Sequence, residues 1–190
     1  MDTYSWKWDM VLYINSCVRA ESRTNRLAKV LLDKLGAYEE VKLNEMEMKP
    51  LNGERLAYRA SQLENENYND SIFELSKQFA KADFIVIAAP YWDGSFPAML
   101  KTYIENIYAI GIVTKYDNNG HPQGLCRAKK LYYVTTAGGR YNPRFSYDYL
   151  KYLVKNMFGI KDMELIYAEY LDVEGYDAEA ILSETMKKIK

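Results

Sequence analysis

The first residues that could do chemistry are hydroxyl and basic side chains near the N-terminus. Ser16 follows an apolar stretch, and Ser22, Arg23 and Thr24 stand where a helical pattern begins. Free N–H groups at a helix N-terminus and the helix dipole favour an anion, and the hydroxyls add donors. This loop predicts a phosphate site, although ordinary capping of the helix by Ser22 or Thr24 would use the same residues.

The second group combines two aromatic residues with turn formers, directly after the apolar run Phe84–Ala89. Its members are Pro90, Tyr91, Trp92, Asp93 and Gly94. The proline ends the strand because it has no N–H for the ladder. The aromatic rings could stack on a flat ligand, and the turn could offer backbone N–H groups to the ligand's polar edge. Aromatic loop residues also serve cores and interfaces, so this loop alone is a weak signal.

The third group ends in a glycine pair and follows another apolar stretch. It consists of Thr136, Ala137, Gly138 and Gly139. Because glycine has no Cβ, the backbone here can approach a ligand closely. A phosphate site, a ring-stacking loop and a glycine loop together indicate a phosphorylated, flat cofactor.

Alternating strands and helices would bring these three groups to one edge of a sheet. Strands are predicted at Asp9–Asn15, Glu39–Leu43, Phe84–Ala89, Lys130–Thr136 and Met163–Tyr167. Helices are predicted from Ser22 or Thr24 to Gly36, at Gly53–Leu63, around Phe73–Ala80, at Pro97–Tyr108, around Tyr149–Met157 and at Ala178–Ile189. This pattern predicts a three-layer α/β fold of flavodoxin-like type, with helices on both faces of a five-stranded parallel sheet of order 2-1-3-4-5. Such folds hold FMN at the switch point between the first and third strands.

Length and composition bound the other possibilities. The 190 residues predict one domain, 1–190, with a hairpin insertion near 111–125 around the turn Asp117–Gly120. With Lys+Arg at 25 and Asp+Glu at 26, neither a nucleic-acid partner nor a membrane surface is expected. Two cysteines without a CxxC pair and a single histidine predict no metal site. The N-terminus lacks the apolar stretch of a signal peptide, so a cytoplasmic protein is expected.

The motifs resemble those of FMN-dependent NAD(P)H azoreductases and quinone reductases. The segment Ala89–Lys101 is similar to their second FMN loop, and Ser16 with Ser22–Asn25 matches their phosphate loop in type and spacing. The pattern continues through Ile110-Gly111, Lys115-Tyr116, Asn119-Gly120, Gly124-Leu125, Lys129-Lys130 and Thr136–Gly139. The resemblance covers roughly Val11 to Tyr170, nearly the whole chain.

This resemblance implies an FMN-dependent enzyme that passes hydride from NAD(P)H through the flavin to a quinone or azo acceptor, working as a homodimer. By position, the phosphate would be held by Ser16, Ser22, Arg23 and Thr24. The isoalloxazine would meet the loop that consists of Pro90, Tyr91, Trp92, Asp93 and Gly94. Its pyrimidine edge would meet Thr136, Ala137, Gly138 and Gly139. No catalytic side chain is expected, because the flavin carries the chemistry. The chain departs from the family pattern at Trp92-Asp93-Gly94, which replaces Tyr-Asn-Phe and leaves the substrate preference open.

Two other functions compete with this interpretation. The segment Cys17–Thr24 fits Cys-x5-Arg-Ser/Thr, the phosphate loop of tyrosine phosphatases, in which Cys17 would be the nucleophile and Arg23 the phosphate partner. The segment lacks the usual Gly and Asn, and no Asp-Pro follows to supply a general acid. A flavodoxin-type electron carrier would also bind FMN, but such carriers are usually shorter and strongly acidic.

Overall fold

The computed structural model describes residues 9–190. Residues 1–8, which carry the expectation about a signal peptide and the start of the predicted domain, lie outside the described residues. The strands are β1 (Val11–Asn15), β2 (Tyr38–Lys42), β3 (Phe84–Ala88), β4 (Thr114–Tyr116), β5 (Pro122–Gly124), β6 (Lys130–Thr136) and β7 (Asp162–Ala168). Five of them form one parallel sheet of order β2-β1-β3-β6-β7. Counted within this sheet alone, the predicted order 2-1-3-4-5 is confirmed.

Among residues 9–190, five α-helices lie between successive strands and a sixth follows the last strand. They are α1 (Arg23–Leu35), α2 (Gly53–Glu64), α3 (Glu74–Lys81), α4 (Ala98–Ile107), α5 (Tyr147–Asn156) and α6 (Ala178–Lys188). The predicted helix boundaries agree within a few residues. Pro97, expected in the first turn of its helix, instead precedes α4 as the N-cap, because its ψ of 144° is extended rather than helical.

The sheet is buried on both faces, which explains the continuous apolar strands. Successive side chains of β1 point to opposite sides, so that Leu12 and Ile14 pack in one cluster and Val11 and Tyr13 in the other. The first cluster includes buried side chains of α3, α4 and α5, and the second includes those of α1 and α6. This three-layer arrangement fixes the carboxyl ends of the strands at one edge.

Strands β4 and β5 form a separate antiparallel hairpin in which Thr114 lies opposite Gly124. Its turn contains Gly120, whose φ of 79° favours glycine. The hairpin lies within the segment where the insertion was predicted. No helix among residues 9–190 is long and apolar enough to cross a membrane.

Candidate functional site

A cleft of about 300 Å³ lies at the carboxyl ends of the central strands. It is lined by Val18, Arg19, Glu21, Ser22, Arg23 and Thr24 from the loop after β1 and the start of α1, by Pro90, Tyr91 and Trp92 after β3, by Thr136, Ala137 and Gly138 at the end of β6, and by Leu171 and Asp172 after β7. All three residue groups identified in the sequence contribute to this lining. Four of the predicted binding residues do not line it, namely Ser16, Asp93, Gly94 and Gly139.

The first loop leaves β1 through Ser16, which is fully buried. The Ser16 amide donates to the carbonyl oxygen of Ala88 at 2.9 Å, and the Ser16 hydroxyl lies 3.1 Å from the same oxygen. The amide of Cys17 donates to Asn15 Oδ1 at 2.9 Å, which turns the chain out of the strand. Because the single hydroxyl proton of Ser16 is directed at Ala88, a bond from Ser16 to a phosphate remains a prediction.

The start of α1 combines a helix cap with free donors. Ser22 is the N-cap, and its Oγ accepts from the Asn25 amide at 3.2 Å. Ser22 therefore caps α1, as the ordinary structural explanation of this residue expects. The amides of Arg23 and Thr24 belong to the first turn and have no intrahelical acceptor. These two amides, with the helix dipole behind them, can hold an anion in the cleft.

The second loop is a tight two-residue turn. The amide of Trp92 donates to the carbonyl of Ser95 and the amide of Ser95 donates back to that of Trp92, both at 2.8 Å. Asp93 and Gly94 at its tip have φ values of 48° and 83°, as a type I′ turn requires. The tip of the turn does not line the cleft, whereas Trp92, which is 38% exposed, does. Ligand contacts of Asp93 and Gly94 remain predictions.

Tyr91 fixes this loop to the rest of the site. Its amide donates to the Thr136 carbonyl at 3.0 Å. Its ring packs edge to face against Tyr141, with the ring centroids 5.0 Å apart. The aromatic side of the cleft is therefore attached to the loop that follows β6.

The third loop is held by the segment that follows β7. The Ala137 amide donates to the carbonyl of Ala168 at 2.9 Å, and the Asp172 amide donates to that of Gly138 at 2.8 Å. A Cβ built on Gly138 would lie 2.4 Å from Asp172 Oδ2, so a larger residue here would displace the Asp172 carboxylate. Gly139 is exposed with open space around it, and its predicted contact with a ligand remains a prediction.

Sequence reasoning missed five lining residues: Val18, Arg19, Glu21, Leu171 and Asp172. The first three lie inside the predicted phosphate loop, where their position was the available signal. The other two follow the last strand of the sheet at the same edge, and only its predicted order could have indicated them. Asp172 is the notable omission, because its Oδ1 pairs with Arg23 Nη1 at 2.6 Å.

Cys17 does not have the environment of a nucleophile. It is 7% exposed and does not line the cleft. Burial raises the pKa of its thiol to about 11, and a hydrogen bond with Ser22 opposes this only in part. A phosphatase needs the thiolate near neutral pH, so the geometry disfavours the phosphatase hypothesis.

The side chains of the cleft suit a ligand that has both an anionic group and a flat aromatic part. Backbone amides, the Thr24 hydroxyl and the Arg23 guanidinium line it together with Trp92 and Tyr91. Within residues 9–190, no group of three or more His, Cys, Asp or Glu side chains is arranged to hold a metal ion. The cleft is therefore suited to an organic, phosphate-bearing, partly aromatic ligand.

Comparison with known proteins shows the same architecture elsewhere. A family model described as a flavodoxin-like fold matches residues 10–190. An FMN-dependent NADH:quinone oxidoreductase 2 of Clostridium acetobutylicum is 41% identical over 132 residues, which cover 67% of this chain and 66% of that protein. An FMN-dependent NADH:quinone oxidoreductase of Clostridium beijerinckii is 41% identical over 128 residues, which cover 66% of this chain and 64% of that protein. The matched segment thus spans slightly less than two thirds of the length of these relatives.

Solved structures agree with the fold over almost the full length. An azoreductase from Bacillus anthracis str. Sterne superposes with a TM-score of 0.80 at 22% identity, covering 95% of this chain and 96% of the other. An FMN-dependent NADH-azoreductase from Bacillus anthracis str. Ames Ancestor, in complex with FMN, has a TM-score of 0.81 at 21% identity, covering 95% of each chain. An NAD(P)H:quinone oxidoreductase from Methanothermobacter marburgensis has a TM-score of 0.69 at 17% identity, covering 94% of this chain and 96% of the other. At these identities the structures establish a shared fold.

Proposed function

This chain belongs to the family described as a flavodoxin-like fold, and on that premise we propose that it is an FMN-dependent NAD(P)H oxidoreductase. Its acceptors in this proposal are small quinone- or azo-type compounds. The names of the similar Clostridium proteins support NADH as the electron donor, FMN as the cofactor and quinones as acceptors. The names of the structurally similar azoreductases support azo compounds as further acceptors. The predicted fold class is confirmed by the family match and by the strand order.

One observation carries the proposal: a single cleft joins the helix N-terminus, the aromatic loop and the end of β6. Each element by itself has an ordinary structural explanation. Their convergence provides anion donors and aromatic surface within one cleft. FMN has the matching chemistry, with a phosphate at one end and a flat ring system at the other.

The residues of this chain would hold and orient the cofactor. Arg23, Thr24 and their amides would bind the phosphate, while Ser22 holds the helix start in shape. Trp92 would cover the ring, and the backbone N–H groups of Gly138 and Gly139 would stabilise negative charge at its polar edge. When bound, FMN supplies hydride transfer at N5, so no acid or base side chain is required.

The alternatives are weaker on the same observations. A phosphatase would need a reactive Cys17, and that thiol is buried with a raised pKa. A flavodoxin-type carrier fits the fold and the cleft equally well. However, the formal net charge of −1 does not provide the acidic docking surface that such carriers commonly use. A carrier therefore becomes one of the outcomes of the test below.

The same proposal includes a cytoplasmic homodimer without nucleic-acid or membrane partners. Helix α2 supports an additional contact surface, because none of its residues is fully buried. Its Leu56 and Tyr58 are 50% and 49% exposed, and a second copy of this chain would cover such apolar surface. Analytical ultracentrifugation over a range of concentrations tests the dimer, and a monomer at every concentration would contradict it.

Two measurements test the proposed activity. The protein is purified, mixed with FMN, and separated from free flavin before its visible spectrum is recorded. NADH and NADPH oxidation is then followed with a benzoquinone or an azo dye as acceptor. We expect bound flavin and acceptor-dependent turnover. Bound flavin without turnover would indicate the carrier, and failure to bind any flavin would refute both functions.

A further inference from the structure

The cleft contains an ion pair at the place where a phosphate would bind. Arg23 Nη1 and Asp172 Oδ1 are 2.6 Å apart, and both residues line the cleft. Their side chains are 37% and 67% exposed, so an entering ligand can reach them from solvent. The guanidinium predicted to hold the phosphate is thus already bound to a carboxylate of the same chain.

The position of Asp172 is fixed by backbone hydrogen bonds. Its amide donates to the Gly138 carbonyl at 2.8 Å, and the Leu171 amide donates to the Ala137 carbonyl at 3.2 Å. Its carboxylate also occupies the space that a Cβ on Gly138 would need. The backbone of Asp172 is therefore held against the loop after β6, and from there its carboxylate reaches Arg23.

The charges of the lining residues cancel. Four lining residues are charged, Arg19 and Arg23 on one side and Glu21 and Asp172 on the other. The whole chain has a formal net charge of −1, so it adds no strong attraction for anions. The described lining residues therefore carry no excess positive charge, and attraction of a phosphate depends on Arg23, the first-turn amides and the helix dipole.

We propose that Asp172 is a positioning residue that limits the affinity of the cleft for the phosphate of its cofactor. Its carboxylate competes with the phosphate for Arg23 and repels the phosphate charge directly. The consequence is a cofactor that exchanges with free FMN rather than staying permanently bound. This inference rests on the proposed function, because it assumes that the ligand is FMN.

The test compares the Asp172→Asn variant with the parent protein, using FMN and riboflavin as ligands. Asparagine keeps the shape and an oxygen acceptor for Arg23 but removes the negative charge. Dissociation constants are measured by quenching of flavin fluorescence at about 0.02 M and about 0.3 M NaCl, where the Debye length falls from about 20 Å to about 6 Å. We expect the variant to bind FMN about two- to fivefold more tightly at low salt, since an exposed ion pair contributes at most about 1 kcal/mol, which corresponds to about fivefold.

Two internal comparisons isolate the contribution of the phosphate group to the change in affinity. The gain in FMN affinity should shrink at the higher salt concentration, while the parent's affinity changes little. Riboflavin lacks the phosphate, so its dissociation constant should be the same in both proteins. A role of Asp172 in folding alone would change both ligands together and would show no such dependence on salt.

The chain offers a matched control. Arg26 of α1 and Glu179 of α6 form an ion pair whose shortest N–O distance is also 2.6 Å, with side chains 43% and 66% exposed, and neither lines the cleft. Glu179→Gln removes one negative charge and weakens an ion pair of similar exposure that lies outside the cleft, so it should leave FMN affinity unchanged. Asp172→Ser is a second variant that removes the charge if the asparagine variant does not fold.

The outcomes separate this inference from the proposed function. Unchanged or weaker FMN binding in Asp172→Asn, an equal gain for riboflavin, or an equal gain in Glu179→Gln would each overturn the role of Asp172. A parent protein that binds no flavin would instead overturn the proposed function. Tighter, salt-dependent and phosphate-dependent binding confined to the Asp172 variants would support the inference.

Discussion

Thr24 Oγ1 lies 2.6 Å from Thr136 Oγ1, although 112 positions separate the two residues in the sequence. Thr24 belongs to the first turn of α1, and Thr136 is the last residue of β6. Strand β3 lies between β1 and β6 in the sheet, and α1 reaches β6 because it packs across β3. This contact joins the first turn of α1, where an anion is expected, to the loop that begins at Thr136 and contains Gly138 and Gly139. Thr136, expected at the ring edge of a ligand, therefore also stands beside the phosphate loop.

Replacing Thr24 by valine should weaken FMN binding roughly tenfold, because a hydrogen bond to a charged group contributes about 1.5–3 kcal/mol. Thr24 is 1% exposed, and valine keeps its shape while removing the hydroxyl. Thr24→Ser keeps the hydroxyl and should retain most of the affinity. Titration with FMN measures the effect, and equal affinity in the parent and the valine variant would exclude a phosphate contact by this hydroxyl.

Replacing Cys17 by serine should leave NAD(P)H-dependent quinone reduction within a few-fold of the parent, because hydride transfer through a flavin needs no thiolate. Steady-state rates with the same acceptor and the same FMN loading provide the comparison. A phosphatase would lose essentially all turnover in this variant. Hydrolysis of a phosphate ester by the parent that disappears in Cys17→Ser would contradict the oxidoreductase proposal.

The same substitution gives a prediction about pH. Burial raises the pKa of Cys17 to about 11, so the folded protein keeps this proton to higher pH than the unfolded chain does. The unfolded state loses the proton first, from about pH 9, and stability contributed by the neutral thiol is lost as pH rises. Urea unfolding should show that the parent loses more stability between about pH 9 and pH 11 than Cys17→Ser does. Parallel pH profiles for the two proteins would contradict the raised pKa.

Gly124→Ala should destabilise the protein by about 1–3 kcal/mol or more, since it forces atoms into a packed contact. A Cβ at this position would lie 2.0 Å from the carbonyl carbon of Phe158, where the hairpin docks beyond the end of α5. Gly53→Ala is the control, because nothing lies within 4 Å of its added Cβ. Chemical denaturation measures both variants. A Gly124→Ala protein as stable as the control would show that the hairpin is not docked in this way.

Asp93→Asn should raise the reduction potential of bound FMN only slightly. Removing a negative charge near the flavin favours its reduced form, but Asp93 is exposed and stands at the tip of a turn outside the cleft lining. Asparagine also tolerates the positive φ of this position, so the turn should keep its shape. Spectroelectrochemistry at low and high salt measures the shift, which should vanish at high salt. A large shift that persists in salt would place the carboxylate against the ring.

The sequence by itself determined the fold and the composition of the cleft's first three loops. Continuous apolar runs such as Phe84–Ala89 predict strands buried on both faces, because a side chain that alternates between two covered faces must be apolar throughout. Ser22 marks the start of α1 by capping it, and Gly36 marks its end through a positive φ. Both are local rules that need no tertiary contact. The parallel order of the strands then requires the three loops to meet at one edge.

Only the tertiary structure decided which of these residues face the cleft and what balances their charge. Ser16 stands where a phosphate ligand was expected, but its hydroxyl is directed at Ala88, a partner on the neighbouring strand. Asp93 and Gly94 were expected to meet a ring; they form the tip of a turn that does not line the cleft, and their contact with a ligand stays a prediction. Asp172 reaches Arg23 across 149 positions because backbone bonds to the loop after β6 hold it there. Such pairings depend on how separate loops pack against each other, and no local pattern of residue types encodes that packing.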